Sequence, residues 1–519
     1  MVYAKFFATN NQIADSITMF KRRDFIKTLG LTSVAWLGMG DAVMAEIERE
    51  LSLFRFPSVF SPIRIKGKVT TAGKGVAGVA VSDGRIVAST NSSGEFEFIS
   101  GNDRDLVFLS LPAGFEIAKQ ANGSAAFFQK IDPSKDEQYI IFDLKRAASS
   151  DENHHFLLLS DTQIQDDYDA GQLLTVAAPD VKRTIASLND SNIFGIGCGD
   201  LVFDKLELFK EYNQSVQMYN TPFFQVMGNH DLDFGGRSDS TTNGTFKGHF
   251  GPTYYSWNRG EVHYVVLDDV FYLGRTGAGI KYIGHIPEEQ LAWLEQDLAL
   301  VEKGKTVVVS LHIPSYTGAV TRYPDRDTLG GTVSNREHLY RMLEGYNVHL
   351  LSGHTHFNDN MISGHVYEHC HGTVCGAWWS GPICHDGTPN GYAVYEAKGS
   401  ELKWKYKGTG LDINEQFRVY KTGYHPDFPD QISLNCWNYD PAWEISWFEN
   451  GVRKGAPEKK VAFDPWSVAL HSGPNLPSRR SWVEPQLNDH MFFFKPESTD
   501  NLVVEAKDRF GNVYTKKVV

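Results

Sequence analysis

Cysteine is scarce in this chain, which has five among 519 residues. Five is too few for a disulfide framework, and no two stand in the CxxC spacing of a structural zinc site. Three lie close together in the chain, so the spacing allows one disulfide among Cys370, Cys375 and Cys384. Neither a disulfide scaffold nor a zinc finger is therefore expected to organise the fold.

Positive charge is also in short supply. The 50 Lys and Arg are outnumbered by 63 Asp and Glu, which leaves a formal net charge of -13. An acidic surface repels the phosphate backbone, so no nucleic acid binding is expected. A small phosphorylated substrate stays compatible with this charge, because a metal site supplies positive charge locally.

Long apolar runs are missing as well. The run at 29–39 is short and interrupted by glycine, so it does not predict a membrane span. It follows Arg22 and Arg23 and precedes a small-residue cleavage site ending at Ala45. Residues 1–45 therefore resemble a twin-arginine export signal, which implies a periplasmic or cell-surface protein with no transmembrane span after signal removal. The alternative is an amphipathic N-terminal helix.

What the chain does have is apolar content sufficient for packed domains. Hydrophobic residues make up 41% and aromatics 13%, and the length predicts two to four domains. Short alternating segments with glycine turns, such as 95–99 after Gly94, predict an N-terminal β-sandwich over 60–147. This region has no cluster of metal-binding side chains, so a structural or docking role is favoured.

The pattern changes over residues 154–395, where apolar strand-like runs alternate with helix-like stretches. The runs are 156–159, 193–197, 223–227, 262–267, 306–311 and 348–351, and the helix-like stretches are 176–188, 205–218, 287–302 and 335–343. Such alternation predicts an α/β core whose sheets are covered on both faces.

Residues 396–519 return to β character and predict a second all-β domain. Segment 402–406 alternates, and Asn450-Gly451 is a strong hairpin-turn pair. The aromatics Trp437, Tyr439, Trp443 and Trp447 are open to two interpretations, a sugar-binding platform or core packing, and their spacing favours core packing.

Polar residues of metal-ligand type follow five of the strand-like runs. Ligands of open α/β sheets bind beyond the carboxyl ends of strands, so these residues are expected to meet. His354 and His356 stand two apart in an extended segment, which puts both imidazoles on one side. The candidate ligands are Asp161, Gln163, Asp200, Asn229, His312, His354 and His356.

Their order and spacing resemble the calcineurin-like metallophosphoesterases, whose motifs are D-x-H, G-D-x-x-D, G-N-H-D/E, H and G-H-x-H. The matching segments are Asp161-Thr162-Gln163, Gly199-Asp200 with Asp204 one residue later than usual, Gly228-Asn229-His230-Asp231, His312 and Gly353-His354-Thr355-His356. The resemblance covers about 155–395. The β flanks, with segments 375–381 and 386–392, also resemble a bacterial three-part subgroup. The resemblance implies an α/β/β/α sandwich flanked by two all-β domains.

The resemblance also implies roles at a centre for two divalent or trivalent metal ions, either manganese, iron or zinc. Asp200 would bridge both ions, with Asp161, Gln163 and His356 completing one half and Asn229, His312 and His354 the other. A metal-activated water would attack phosphorus, while His230, oriented by Asp231, protonates the leaving oxygen. Gln163 departs from the usual His, and its harder, weaker amide donor predicts weaker retention of that ion or a bias toward manganese or iron over zinc.

Three further residues, Arg322, His371 and His385, are candidates for substrate contact. The alternative is a solvated loop charge for Arg322 and loop packing for the two histidines. The predicted function is an exported phosphoesterase acting on a phosphodiester or phosphomonoester of a small molecule or envelope polymer. A metallohydrolase of another bond is the nearest rival among enzymes. The alternative from another class is an envelope glycan-binding protein with a weakly active or inactive core.

Overall fold

The structure is a computed structural model that describes residues 61–276, 279–326, 328–498 and 500–518. The predicted export signal, residues 1–45, lies outside these ranges. Among the described helices, none combines the length and apolar content that a membrane crossing requires.

The N-terminal β region forms two four-stranded sheets that share one core. In one sheet β1 lies between β5 and β8 and also pairs with β2, and the other has the order β4-β3-β6-β7. Phe96 and Phe98 alternate with exposed neighbours and pack with Ile63 and Ile65 in the core. The strands are β1 Pro62–Thr71, β2 Lys74–Gly75, β3 Ala80–Ser82, β4 Val87–Ser89, β5 Glu95–Gly101, β6 Leu106–Leu109, β7 Phe128–Lys130 and β8 Glu137–Asp143.

The central α/β region contains two large sheets and one hairpin. The five-stranded sheet has the order β11-β10-β9-β20-β21, the six-stranded sheet β12-β13-β16-β17-β19-β18, and β14 pairs with β15. The strands are β9 Asn153–Leu159, β10 Phe194–Cys198, β11 Phe223–Val226, β12 Tyr255–Arg259, β13 Val262–Val266, β14 Val270–Thr276, β15 Gly279–Gly284, β16 Thr306–Ser310, β17 Asn347–Ser352, β18 Asp359–Ser363, β19 Val366–Cys370, β20 Gly391–Lys398 and β21 Glu401–Gly408.

Helices cover the outer faces of the two sheets, giving the predicted α/β/β/α layers. The helices are α1 Asp167–Gln172, α2 Ala178–Leu188, α3 Phe209–Tyr219, α4 Gly244–Phe250, α5 Glu288–Leu298, α6 Ala319–Arg322 and α7 Arg336–Met342, with a π turn at Leu173–Ala177 and 3₁₀ turns at Leu206–Leu208 and Asp239–Thr241. Val181 and Val216 pack with Leu157 outside the five-stranded sheet, and Leu294 packs in the cluster that contains the six-stranded sheet's Val308.

The α/β core extends beyond residue 395, which is the boundary that the sequence pattern predicted. Strand β20 pairs antiparallel with β9, and β21 pairs with β20, so segment 402–406 belongs to the five-stranded sheet and not to the C-terminal domain. The reason is packing: the alternating residues Leu402, Trp404 and Tyr406 are buried, and Leu402 and Trp404 join the cluster between the sheets.

The C-terminal domain has two four-stranded sheets, β22-β23-β27-β26 and β25-β24-β28-β29. Asn450 and Gly451 both have positive φ and close the β24–β25 hairpin, as predicted. Trp437, Trp443 and Trp447 are buried, and the partly buried Tyr439 packs against the core of this domain, so core packing is the correct interpretation of these rings. The elements are β22 Phe417–Tyr420, β23 Ile432–Cys436, β24 Glu444–Glu449, β25 Val452–Gly455, β26 Glu458–Phe463, α8 Pro465–His471, β27 Leu487–Phe494, β28 Leu502–Lys507 and β29 Val513–Lys517.

The disulfide that the cysteine spacing allowed does not form. Cys370, Cys375 and Cys384 are all free and buried. Their sulfurs are instead taken up by local polar contacts, such as Cys370 Sγ at 2.9 Å from Thr355 Oγ1.

Candidate metal centre

The two core sheets bring the predicted ligands together at the carboxyl ends of their parallel strands. Strands β9, β10 and β11 run parallel in one sheet, and β16 and β17 run parallel in the other. Asp161 and Gln163 follow β9, Asp200 follows β10, Asn229 follows β11, His312 follows β16, and His354 and His356 follow β17. The topology therefore explains why residues far apart in sequence form one site.

The backbone turns sharply at these ligands. Five of them have left-handed backbone, a conformation that costs a non-glycine residue about 1–2 kcal/mol. They are Asp161 (φ 49°), Gln163 (φ 37°), Asp200 (φ 51°), His354 (φ 68°) and His356 (φ 55°). Strain of this kind persists where function requires the side chain to be aimed.

Glycines next to the ligands permit the close approach. A Cβ on Gly199 would lie 2.3 Å from His312 Nδ1, and one on Gly353 would lie 2.4 Å from Asp161 Oδ2. A Cβ on Gly228 would lie 2.0 Å from the Asp200 backbone nitrogen. The glycines of three motifs are thus required by the packing of the ligands themselves.

We define the first half of the site as Asp161, Gln163 and His356. All three side chains are buried. Asp161 Oδ1 lies 3.5 Å from His356 Nε2, and Gln163 Nε2 donates to Asp200 Oδ2 at 2.5 Å. Burial, reinforced by the Asp200 charge, raises the pKa of Asp161 to about 7 despite the opposing effect of His312.

The second half of the site consists of Asn229, His312 and His354. His312 Nε2 lies 3.2 Å from both Asp200 Oδ1 and Asn229 Oδ1, and ligand atoms of Asp200, His312 and His354 all lie within 4.8 Å of one another. Burial lowers the pKa of His312, but the carboxylates of Asp200 and Asp161 outweigh it and raise the pKa to about 10. In this geometry a protonated His312 bridges the Asp200 and Asn229 oxygens.

Backbone carbonyls orient all three imidazoles. His312 Nδ1 lies 3.0 Å from the Cys198 oxygen, His354 Nε2 lies 3.0 Å from the Gly330 oxygen, and His356 Nδ1 lies 2.5 Å from the Gly376 oxygen. Such contacts fix which ring nitrogen faces a metal ion. They leave Nε2 of His312 and His356, and Nδ1 of His354, on the site side.

The residues fit a metal centre by the test of polar satisfaction. Among the described residues, four buried ligand-type atoms of this site have no hydrogen-bond partner: Asp161 Oδ1, Gln163 Oε1, His354 Nδ1 and His356 Nε2. A buried polar atom left alone costs about 1–3 kcal/mol. Oxygen and imidazole nitrogen are ligand atoms that manganese, iron and zinc accept. Bound cations would therefore satisfy these four atoms.

His230 stands beside the ligands with a carboxylate behind it. Its Nδ1 lies 2.6 Å from Asp204 Oδ1, and its Nε2 lies 3.9 Å from Asp200 Oδ2. Burial lowers the pKa of His230, but Asp200 and Asp204 outweigh it, so the pKa is raised. The imidazole is therefore held as a proton donor.

The expectation that Asp231 orients His230 is wrong. Asp231 is buried, and its carboxylate accepts hydrogen bonds from the backbone nitrogens of Gly228, Leu201 and Val202. These donors bind together the loops after β10 and β11. Asp204 takes the orienting role, although the extra residue before it weakened its match to the motif.

The candidate substrate residues have different surroundings. The Arg322 side chain is 3% exposed and makes a bidentate pair with Asp359, so it is unable to reach substrate. His371 is buried and lies 2.6 Å from Tyr395 Oη, which also makes it structural. His385 lies beside the first half, with its ring centroid 6.4 Å from that of His356.

Sequence reasoning missed the aromatic rings around the site. Measured between ring centroids, Phe203 lies 4.2 Å from His230 and Tyr282 lies 6.1 Å from His354. Trp378 stacks on His356 with 3.9 Å between the centroids. Trp482 in turn lies 4.9 Å from Trp378. Trp378 lies inside the 375–381 segment noted for its family resemblance, whereas no local pattern marks Trp482.

Family comparison matches three consecutive parts of the chain. Residues 154–358 match the calcineurin-like phosphoesterase family, residues 63–147 the N terminal of calcineurin-like phosphoesterase, and residues 368–514 the C terminal of calcineurin-like phosphoesterase. The matches follow the order that the sequence motifs predicted. A comparison with curated proteins finds no significant match.

Two solved structures resemble parts of this chain at low identity. A dimetal phosphatase from Danio rerio is 15% identical, with 49% of this chain and 96% of that chain covered and a TM-score of 0.34. Purple acid phosphatase PPD1 from yellow lupin (Lupinus luteus) seeds is 15% identical, with 67% of each chain covered and a TM-score of 0.37. Because both scores are low, the family models and the geometry of the site carry the interpretation.

Proposed function

Because the chain belongs to the calcineurin-like phosphoesterases, which are metal-dependent phosphoric ester hydrolases, we propose that it hydrolyses a phosphodiester or phosphomonoester at a two-ion centre. One observation carries the two-ion proposal: the buried atoms without partners belong to both halves of the site. Asp200 lies between the halves, within hydrogen-bond distance of Gln163 and of His312.

Each residue has a part in this proposal. Asp161, Gln163 and His356 would hold one ion, Asn229, His312 and His354 the other, and Asp200 would bind both. Bound metal ions supply charge for the phosphate and acidify water at neutral pH.

His230 supplies the acid. Its Nε2 faces Asp200 Oδ2, and Asp204 fixes the ring through Nδ1, so a proton on Nε2 is available to the leaving oxygen.

The glycan-binding alternative has less support. Three rings of its proposed platform, Trp437, Trp443 and Trp447, are buried in the C-terminal domain, and the fourth, Tyr439, is partly buried against the same core. A binding relic would also be expected to lose ligands, whereas this site keeps a donor atom at all seven positions.

Turnover of bis-p-nitrophenyl phosphate and p-nitrophenyl phosphate tests the proposed function. Protein supplied with manganese, iron or zinc should hydrolyse at least one ester, and His230→Ala should lower kcat by about 10²–10⁴. His338→Ala, which removes an exposed histidine of α7, is the matched control and should leave kcat unchanged. Absence of turnover with every metal would overturn the proposal.

We also propose that the protein is exported and acts on phosphate esters of the cell envelope or periplasm, and that it binds no nucleic acid. The twin arginines before the 29–39 run motivate the export proposal. Replacing Arg22 and Arg23 together by Lys keeps the charge and should retain the protein in the cytoplasmic fraction. Unchanged fractionation would contradict this route.

A further inference from the structure

An aromatic side chain from the C-terminal domain reaches the rim of the metal centre. Trp482 lies in the connection between α8 and β27, and its indole is 4.9 Å from that of Trp378 at an angle of 56°. Trp378 itself stacks on the predicted ligand His356 with 17° between the planes. Trp482 is thus two ring contacts from the first half of the site.

The N-terminal side of this connection is held in place by buried charge. Arg479 donates to Asp166 at 2.5 Å and to Asp169 at 3.1 Å, and Arg480 donates to Asp169 at 2.8 Å. Asp169 is fully buried in α1, which follows the first metal motif. A buried carboxylate shared by two guanidinium groups resists displacement, because each partner would leave an unpaired charge.

The C-terminal side of the connection is held as well. The Gln486 backbone nitrogen donates to the His385 oxygen at 2.8 Å, and the Gln486 side chain accepts from Arg326 at 3.0 Å. His385 lies next to Trp378, with 5.8 Å between ring centroids. Trp482 therefore sits on a segment anchored to the catalytic domain on both sides.

Despite these anchors, the Trp482 side chain is left open. Its exposed fraction is 57%, although indole is among the largest apolar surfaces a protein can bury. The neighbouring charged groups Arg479, Arg480 and Asp169 are engaged with one another. What Trp482 offers a ligand is therefore an exposed ring surface, beside guanidinium groups that are already paired with Asp169.

We propose that Trp482, supported by Trp378, is a specificity-determining residue that binds an aromatic ring in the organic group of the phosphate ester. The substrate class is an aryl or nucleoside phosphate ester, and the inference rests on the proposed function of the metal centre. Stacking between an aromatic side chain and a flat ring gives affinity through the ring faces alone.

Binding of phosphonates to manganese-loaded protein tests this, because phosphonates are not hydrolysed and calorimetry needs no turnover. Wild-type protein should bind phenylphosphonate about fivefold or more tighter than methylphosphonate or cyclohexylphosphonate, and Trp482→Ala should abolish that preference. Trp482→Phe should keep most of it. Tyr139→Ala, which removes a 62% exposed ring from the N-terminal sheet, is the matched control and should keep all of it.

Two outcomes would overturn the inference, and a third would support it and narrow the class of ligand. Equal binding of phenyl and cyclohexyl compounds would mean that no flat ring is recognised, and an unchanged preference in Trp482→Ala would place the recognition elsewhere. A larger effect of Trp482→Ala on adenosine 5′-thiomonophosphate than on phenylphosphonate would identify the ring as a nucleobase. Failure of the proposed function is separate, since it shows as absent turnover while ring-dependent phosphonate binding persists.

Discussion

The two halves of the metal centre are built from similar residues, but they differ in how their buried polar atoms find hydrogen-bond partners. In the second half, His312 Nε2 lies 3.2 Å from oxygens of both Asp200 and Asn229, so a proton on His312 satisfies them. In the first half, Asp161, Gln163 and His356 each keep one buried atom without a partner. The described ligands of the second half leave one such atom, His354 Nδ1, so a cation is needed more in the first half than in the second.

This difference shows that ligand count and metal dependence are separate properties. In the second half His354 Nδ1 is already open, but His312 has to release its proton before its Nε2 is free to bind an ion. The first half requires no such exchange at His356, whose Nε2 is already open, but it contains the weaker amide donor of Gln163. The first half is thus open for a metal ion but holds it with a poorer ligand.

Replacing Asp200 with Asn should have the largest effect, because both halves share this carboxylate. The substitution keeps the shape but removes the charge that would screen two cations from each other. We expect kcat/KM on bis-p-nitrophenyl phosphate to fall about a thousandfold, or about 4 kcal/mol, and metal content to drop in both halves. Loss of one ion with full retention of the other would contradict a shared ligand.

Substitution of Asp204 with Asn tests the acid beside the two halves. Asp204 raises the pKa of His230, so its neutral replacement should lower that pKa and shift the alkaline limb of the kcat profile to lower pH. Asn tolerates the left-handed backbone of Asp204, so the fold should be unaffected. We expect kcat to fall about tenfold to a hundredfold at neutral pH, within the range for general acid catalysis.

Asp231→Asn provides the contrast. Its amide nitrogen would meet a backbone donor now bound by the carboxylate, so the free energy of unfolding should fall by about 1–3 kcal/mol. The Asp231 charge also raises the pKa of His230, but less than Asp204 does, so the alkaline limb should move to lower pH by less than in Asp204→Asn. A moved limb in Asp231→Asn, with none in Asp204→Asn, would restore the orienting role that the sequence assigned to Asp231.

The sequence was sufficient to identify the ligands because each stands at the end of an apolar strand. The apolar pattern of the strands and the G-N-H-D and G-H-x-H motifs are local signals. A single sequence is therefore enough to recognise them. Polar pairings across the fold are not local. The acceptor of Arg322, which is Asp359, and the backbone donors to Asp231 depend on how distant loops pack.

The boundary of the core illustrates the same limit. Segment 402–406 alternates like any strand, and nothing within it tells whether it joins β20 or a later sheet. Trp482 is a second case, because its position beside Trp378 depends on the ion pairs of Arg479 and Arg480 with α1. Such residues become predictable once the tertiary contacts are known.

Glycine substitutions test whether the first half tolerates displacement. Gly353→Ala would place a methyl group 2.4 Å from Asp161 Oδ2, so it should lower the free energy of unfolding by about 1–3 kcal/mol and release the first-half ion. Gly171→Ala is the control, since its Cβ would meet nothing within 4 Å among the described residues. In helix α1 it should stabilise by about 0.5–1 kcal/mol. Equal unfolding midpoints and metal contents in both variants would contradict the packing argument.

The smallest expected change comes from Gln163→His, and it sharpens the comparison most directly. Gln163 Nε2 donates to Asp200 while Oε1 has no partner, so the amide presents one weak oxygen to an ion. An imidazole is a stronger donor for zinc and iron, and we expect first-half retention during dialysis against a weak chelator to rise about tenfold, or about 1.4 kcal/mol. Retention of the second-half ion should stay the same. Elemental analysis of wild-type protein and of Gln163→His during dialysis measures both. The contrary outcome is that wild-type protein and Gln163→His lose both ions at equal rates. The difference between the two halves would then have to arise from burial, because His356 and Asp161 are unchanged by the substitution.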